Sequence, residues 1–151
     1  MFLYSIWLSL EHLTRIWASR YGEIFITSGA IFDRDGIVGR DEDIHAQRMA
    51  STNGHARVAV PDRYYRSVAR IDDGALRTIS FVLSNDNNDH GVTWQDVKPV
   101  VLASIVQIEA IEFSGSLDLY PDLESAQINE SRHGEDWDFS AGMSNFSASC
   151  K

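Results

Sequence analysis

Residues 6–22, IWLSLEHLTRIWASRYG, determine how the fold begins. Apolar side chains recur in this segment at intervals of three and four residues, the period that places them on one face of an α-helix: Ile6, Leu10, Leu13 and Trp17. Gly22 stands directly after this pattern, at a position typical of a helix C-cap. The segment therefore predicts an amphipathic helix whose apolar face packs into a core.

The first ten residues, MFLYSIWLSL, are nearly all apolar and raise the question of a targeting segment. A secretion signal has a basic region before its apolar stretch and small residues at a cleavage site, but the first Lys or Arg here is Arg15 and no Ala-x-Ala follows. A membrane helix needs about 20 apolar residues, and Glu11, His12 and Arg15 interrupt the stretch too early. We therefore expect neither a signal peptide nor a membrane anchor here, and the compartment stays open.

Strand patterns follow the helix. Ile24–Thr27 is rich in β-branched and aromatic residues and predicts a buried strand that stops at Ser28–Gly29. Tyr65–Ile71 and Leu76–Ser84 have the same character. Because Asp72-Asp73-Gly74 between them is a turn sequence, the two segments predict an antiparallel hairpin.

A second helical stretch covers residues 92–115. Thr93 is the expected N-cap, and Pro99 predicts a break near the start of the helix or two short helices. The order of elements is helix, strand, loop, hairpin, helix and tail. This order predicts an α+β fold with a mainly antiparallel sheet and flanking helices.

Length and composition predict one domain with a tail. A chain of 151 residues with 44% apolar content can bury a core without disulfides, and its single cysteine, Cys150, excludes an internal one. We place the domain at residues 1–123 and expect residues 124–151, which are acidic and rich in serine, to be disordered. The net charge of −9 argues against a protein that holds nucleic acid on a broad basic surface.

An acidic loop follows the first predicted strand. Asp33, Asp35 and Asp41 stand at positions 1, 3 and 9 of a calcium loop, in which alternating carboxylates converge on the cation. Ile37 and Val38 occupy positions 5 and 6, where such a loop has an oxygen ligand and a glycine. Two interpretations stay open: a solvated acidic surface, or a weak, vestigial metal site that calorimetry should find no tighter than about millimolar for Ca²⁺.

Glu11 and Arg15 lie one turn apart on the first helix. Spacing alone favours a surface ion pair over the alternative, in which the carboxylate faces a metal-bound water and the guanidinium faces a phosphate. The five histidines have no zinc-type spacing, and the sequence contains no phosphate-binding glycine motif.

Five segments, taken in order, resemble the DNA/RNA non-specific endonuclease family: IWLSLEHL (6–13), ITSGAIFDRDG (26–36), VAVPDRYYR (58–66), ISFVLSND (79–86) and IEAIEFSGSLDLYPDL (108–123). Relatives of this family include the inactive nuclease-like domain of nucleotide pyrophosphatase/phosphodiesterases. The resemblance implies a ββα-metal (His-Me finger) fold that hydrolyses phosphodiester bonds in DNA and RNA, with Mg²⁺ on the scissile phosphate and a histidine as general base. Relatives are often secreted, periplasmic or organellar.

The resemblance assigns roles residue by residue. Glu11 matches the acidic residue that supports the water shell of the metal, and Arg15 matches a basic residue near the phosphate. The metal-binding asparagine of the family falls at Leu3, whose alkyl side chain is no ligand for Mg²⁺. The histidine of the family belongs to an Asp-Arg-Gly-His segment that does not occur in the sequence. In relatives with a calcium loop, the ligands match Asp33, Asp35 and Asp41.

Three expectations follow from this comparison. The chain is the distal part of a nuclease domain that is catalytically incomplete as it stands, or a non-catalytic scaffold or interaction module, or the product of a truncated gene or a misplaced start codon. An in-frame Asp-Arg-Gly-His in the coding DNA before Met1 would restore the enzyme, whereas a stop codon there would leave the module or the fragment. If the first strands of the sheet are missing, an exposed apolar edge is expected to favour a homodimer.

Overall fold

The elements of the fold are seen in a computed structural model, which describes residues 3–32, 48–51, 57–86, 88–115, 117–124, 127–140 and 143. In chain order they are α1 (Leu3–Tyr21), β1 (Phe25–Ile31), β2 (Arg48–Ser51), β3 (Arg57–Val60), β4 (Arg63–Asp72), β5 (Ala75–Ser84), α2 (Trp94–Ala103), β6 (Ile105–Val106), α3 (Ile108–Gly115) and β7 (Ile128–Glu130). No described helix is long and apolar enough to cross a membrane.

Helix α1 confirms the predicted amphipathic helix. Its four periodic apolar residues are at most 2% exposed and lie in the main hydrophobic core: Ile6, Leu10, Leu13 and Trp17. Gly22 follows the helix with a φ of 83°, a left-handed conformation that glycine adopts without a steric penalty and that commonly ends helices.

The main sheet has the order β1-β4-β5-β6, and β7 pairs with β5. All of its pairings are antiparallel except β5 with β7, while β2 and β3 form a separate antiparallel pair. The described residues thus form a mixed α+β fold with a mostly antiparallel sheet, as the sequence predicted.

The β4–β5 hairpin turns where the sequence predicts. Asp72 pairs with Ala75, and the two residues between them, Asp73 and Gly74, have φ values of 50° and 78°. Positive φ at both central residues defines the tight turn whose twist matches that of paired strands, and Asp-Gly is a favoured sequence for it. The turn fixes the register along all ten residues of each strand.

Two predicted boundaries are wrong. Helix α2 begins at the Thr93 N-cap as expected but passes through Pro99, which is exposed on the helix surface. The stretch does contain two short helices, α2 and α3, but they are separated at Ile105–Val106, because these β-branched residues pair with β5 as a short strand. Strand β1 likewise continues past Ser28–Gly29 to Ile31. Gly29 is needed there for a close approach: an added Cβ would lie 2.6 Å from the Tyr65 ring.

The C-terminal segment corrects the expected disorder of residues 124–151, as far as that segment is described. Trp137, Phe139 and Met143 are buried in the main core together with α1 and α2. Backbone groups of the segment also bond to buried side chains: Trp17 Nε1 donates to the Asp138 carbonyl at 2.6 Å, and Trp94 Nε1 donates to that of Phe139 at 3.0 Å. Residues 127–140 are therefore part of the folded domain.

Strand alternation assigns the side chains of β4 to two faces of the sheet. Val68 faces α1 in the main core, whereas Tyr65 packs with Ile31 and Ile111 in a second cluster on the opposite face. Arg66 shares the face of Val68 and therefore points toward α1. This placement brings a charged side chain under the helix that carries Glu11.

Candidate functional site

Glu11 lies on α1 between one residue of its own helix and one residue of the sheet. The indole Nε1 of Trp7, one turn earlier, donates to Glu11 Oε1 at 3.1 Å. Arg66 Nη2 lies 3.8 Å from the same oxygen. The carboxylate side chain is 38% exposed, while that of Arg66 is 9% exposed. Glu11 thus lies partly exposed on α1, with the mostly buried side chain of Arg66 on β4 beside it.

Two further contacts hold Arg66 in place, and a third positions the Trp7 ring beside it. Its Nε donates to Ser28 Oγ on β1 at 3.1 Å, and Ser28 is the direct register partner of Arg66. Its guanidinium carbon lies 4.4 Å from the centre of the Trp7 ring, a cation–π contact. Trp7 also packs against Tyr64 with 5.9 Å between ring centres. The guanidinium is therefore enclosed by an aromatic ring, a hydroxyl and a carboxylate.

The electrostatics of this cluster follow from burial. Desolvation lowers the pKa of Arg66 below its ordinary value, and the charge of Glu11 opposes that shift. Arginine nevertheless stays protonated in proteins, so Glu11 and Arg66 form a partly buried ion pair. Both Trp7 and Arg66 contact the same oxygen of Glu11, Oε1.

Arg15 is exposed one turn after Glu11. The surface ion pair that spacing favoured is not formed, because the partner of Glu11 within the described structure is Arg66 on the sheet. Arg15 instead lines an open depression of about 360 Å³ with Ile16, Ser19 and Arg20. Arg20 in turn is ion-paired to Asp138. The guanidinium of Arg15 is thus available to an anion in solution.

The predicted calcium-type loop cannot be compared with this geometry, because Asp33, Asp35 and Asp41 lie outside the described residues. The side chain of Leu3 also lies outside them. Within the described part of the chain no group of three His, Cys, Asp or Glu residues is placed to hold a metal ion. His90 is paired with Asp86, with 3.7 Å between Nε2 and Oδ1, in the loop before α2.

A second polar region lies near α3 and β7, where a cavity of about 860 Å³ is lined by several carboxylates. Two of these cap backbone groups: Glu112 Oε1 accepts from Leu119 N at 2.8 Å, and Glu130 Oε2 accepts from Ile108 N at 3.3 Å. Burial raises the pKa of Tyr120, which shares a hydrogen bond of 3.0 Å with Ser67. These contacts tie the segment around residue 120 to the sheet.

Sequence reasoning missed Arg66. One signal was present: Arg66 stands two residues after Tyr64 and two before Val68, on the strand face that also carries apolar residues. A charge at such a position predicts a buried partner, because an unpaired buried charge is costly. Which carboxylate provides that partner depends on how α1 crosses the sheet, and periodicity does not specify this.

Comparison with known proteins finds a family whose sequence model matches the chain. The sequence model of the DNA/RNA non-specific endonuclease family matches residues 4–116 of the chain. The match spans nearly all of α1, the sheet strands β1, β4, β5 and β6, and α3, and it includes Glu11, Arg15 and Arg66. A comparison with curated proteins finds no match.

Proposed function

The chain belongs to the DNA/RNA non-specific endonuclease family, and from this premise we propose that it binds the phosphodiester backbone of DNA or RNA at α1 without completing the hydrolytic site. The observation that carries the proposal is that Arg15 is exposed one turn of α1 after Glu11, whose carboxylate is itself partly exposed. The family implies a ββα-metal fold and Mg²⁺-dependent hydrolysis of nucleic acids.

Arg15 is the residue we assign to phosphate. A guanidinium presents its N–H donors in a planar fork that matches two oxygens of one phosphate, and its charge persists at all physiological pH values. Glu11 lies one turn away and its side chain is partly exposed, so its carboxylate can accept a hydrogen bond from water or from a ribose hydroxyl.

The residues present do not fit the metal that the family uses. By the resemblance to the family, Leu3 takes the position of the asparagine ligand, and its side chain offers no oxygen. The Asp-Arg-Gly-His segment that carries the general base does not occur in the sequence. We therefore derive no hydrolytic step for this chain and assign Glu11 and Arg15 to binding. For the loop with Asp33, Asp35 and Asp41 we retain the proposal of weak Ca²⁺ binding.

Two assays test this function. Purified chain incubated with plasmid DNA or RNA and Mg²⁺ or Mn²⁺ is expected to cleave neither. A fluorescent single-stranded oligonucleotide is expected to bind weakly at low salt, and Arg15→Gln should weaken binding and lower the salt dependence by about one phosphate contact. Arg132→Gln is the matched control, because Arg132 is equally exposed but lies far from α1 in sequence, beside β7.

The outcomes separate the alternatives. Cleavage that Glu11→Gln abolishes would show that the hydrolytic site is complete and would refute the proposal. Equal losses in Arg15→Gln and Arg132→Gln would indicate diffuse electrostatic attraction rather than a site. If no saturable binding occurs even at low salt, the second candidate is favoured: a nuclease-like scaffold or interaction module, with which the net charge of −9 agrees.

We also propose a homodimer through β1. This strand pairs with β4 on one side and has no described strand on the other, and Phe25 and Ile26 are 50% and 47% exposed. Its sequence, FITSGAI, lacks the charges and prolines that protect edge strands from pairing. Sedimentation velocity should show a concentration-dependent dimer that Ile26→Lys abolishes and Val92→Lys, at another exposed apolar residue, leaves intact. A monomer at every concentration would exclude this interface.

A further inference from the structure

We infer that Arg66 takes the place of a divalent cation beside Glu11: the carboxylate is the counter-ion of a protein guanidinium, and the site works without metal. This inference rests on the proposed function, because the resemblance to the family is what implies a place for Glu11 in the water shell of a metal. The same resemblance implies that the ligand position is Leu3, which has no oxygen to offer a metal.

The buried side chain of Arg66 needs a negatively charged partner. Its side chain is 9% exposed on β4, which lies between β1 and β5 in the sheet. A guanidinium removed from water to this extent requires a negative charge nearby. Within the described structure Glu11 is the carboxylate within ion-pair distance of Arg66. Glu11 is therefore fixed to the sheet by an interaction that a metal-dependent site would have to share.

The guanidinium of Arg66 has its partners on α1 and β1. Nε is directed to Ser28 Oγ, Nη2 to Glu11 Oε1, and one face of the guanidinium to the Trp7 ring. Three elements of the fold, α1, β1 and β4, thus converge on this one side chain. Such an arrangement fixes the position of the positive charge as firmly as a bound ion would.

The charge of Glu11 is already balanced by Arg66. Trp7 Nε1 donates to Oε1, and the Arg66 guanidinium lies beside the same oxygen, so the ion pair has no net charge. A divalent cation approaching Oε2 is attracted by the carboxylate but repelled by the guanidinium at 3.8 Å from Oε1. The arginine therefore weakens the attraction for metal at the position where the family needs it.

Urea unfolding of Glu11→Gln, Arg66→Met and the double variant tests the ion pair. Glu11→Gln leaves a buried guanidinium unpaired and should raise the unfolding equilibrium constant by about tenfold. Arg66→Met leaves a half-exposed carboxylate that water can solvate, so its effect should be smaller, and the double variant should resemble Arg66→Met. Glu109→Gln, at an exposed acidic residue of α3, is the matched control. Strictly additive effects of the two substitutions would overturn the ion-pair step.

Mn²⁺ binding, measured by electron paramagnetic resonance, tests whether Arg66 takes the place of a metal ion beside Glu11. Mn²⁺ binding should be the same in the wild-type chain, Glu11→Gln and Glu109→Gln, because Glu11, as the counter-ion of Arg66, holds no metal ion. Loss of a bound Mn²⁺ in Glu11→Gln alone would overturn the inference. The proposed function is decided separately, by the Arg15→Gln oligonucleotide assay, so that either proposal can fail without the other.

Discussion

Deleting residues 134–151 is expected to unfold the domain. The deletion removes Trp137, Phe139 and Met143, three buried members of the main core. Truncating a single large core side chain costs about 2–5 kcal/mol, whereas a domain has a total stability of about 5–15 kcal/mol. Loss of all three should therefore exceed the stability of the remaining chain.

The same deletion also removes the hydrogen-bond partners of polar groups in the rest of the domain. Trp17 Nε1 and Trp94 Nε1 lose their carbonyl acceptors, and Tyr21 loses the donor at Asp138 N, 2.9 Å away. Arg70 loses the Asp136 carbonyl at 3.0 Å and the ring of Trp137 at 4.9 Å. Buried donors without acceptors add to the loss of apolar burial.

Far-ultraviolet circular dichroism and thermal unfolding provide the measurement. A chain that ends at residue 143 is the control, because it keeps all the described contacts of this segment and should melt cooperatively near the temperature of the full chain. If the chain that ends at residue 133 also melts cooperatively at that temperature, the C-terminal segment does not belong to the core.

This segment also shows where sequence reasoning fails. Trp137, Phe139 and Met143 are separated by acidic, small and polar residues, so neither the helical nor the strand period appears. What orders them is contact with Trp17 and Trp94, as much as 121 positions away along the chain. Such long-range contacts leave no local pattern, and a low density of apolar residues then resembles disorder.

The elements that were predicted correctly are those with local causes. The core face of α1 follows from a spacing of three and four residues, and the hairpin follows from Asp73-Gly74, which adopts positive φ where the turn requires it. The sequence predicted a break at Pro99, but α2 continues through this residue. The helix tolerates the proline because it lies on an exposed face, where water can solvate the backbone carbonyl that has lost its N–H partner.

The sequence pointed to two residues of the candidate site but not to the third. Glu11 and Arg15 follow from the family resemblance, since both lie in one continuous helical segment. The partner of Glu11 does not: Arg66 is distant in sequence and reaches Glu11 because the β1–β4 register and the crossing of α1 bring them together. A pairing made by tertiary packing requires the structure, and it changed the interpretation of Glu11 from a surface ion pair to a partly buried one.

Replacing Trp17 by Ala is expected to destabilise the domain by about 3–5 kcal/mol, the usual cost of deleting a buried aromatic side chain. Trp17 has no exposed surface and packs against rings of β5 and of the C-terminal segment, with centre distances of 6.3 Å to Phe81, 4.7 Å to Trp137 and 5.4 Å to Phe139. One side chain thus joins the helix, the sheet and the last described segment.

Trp17→Phe separates packing from hydrogen bonding. It keeps an aromatic ring but removes Nε1, which leaves the Asp138 carbonyl without the donor at 2.6 Å, so the expected loss is about 1–2 kcal/mol. Urea unfolding of both variants gives the two values. If Trp17→Ala loses no more than Trp17→Phe, the hydrogen bond rather than ring packing joins α1 to the C-terminal segment, and the aromatic core is less important than its burial indicates.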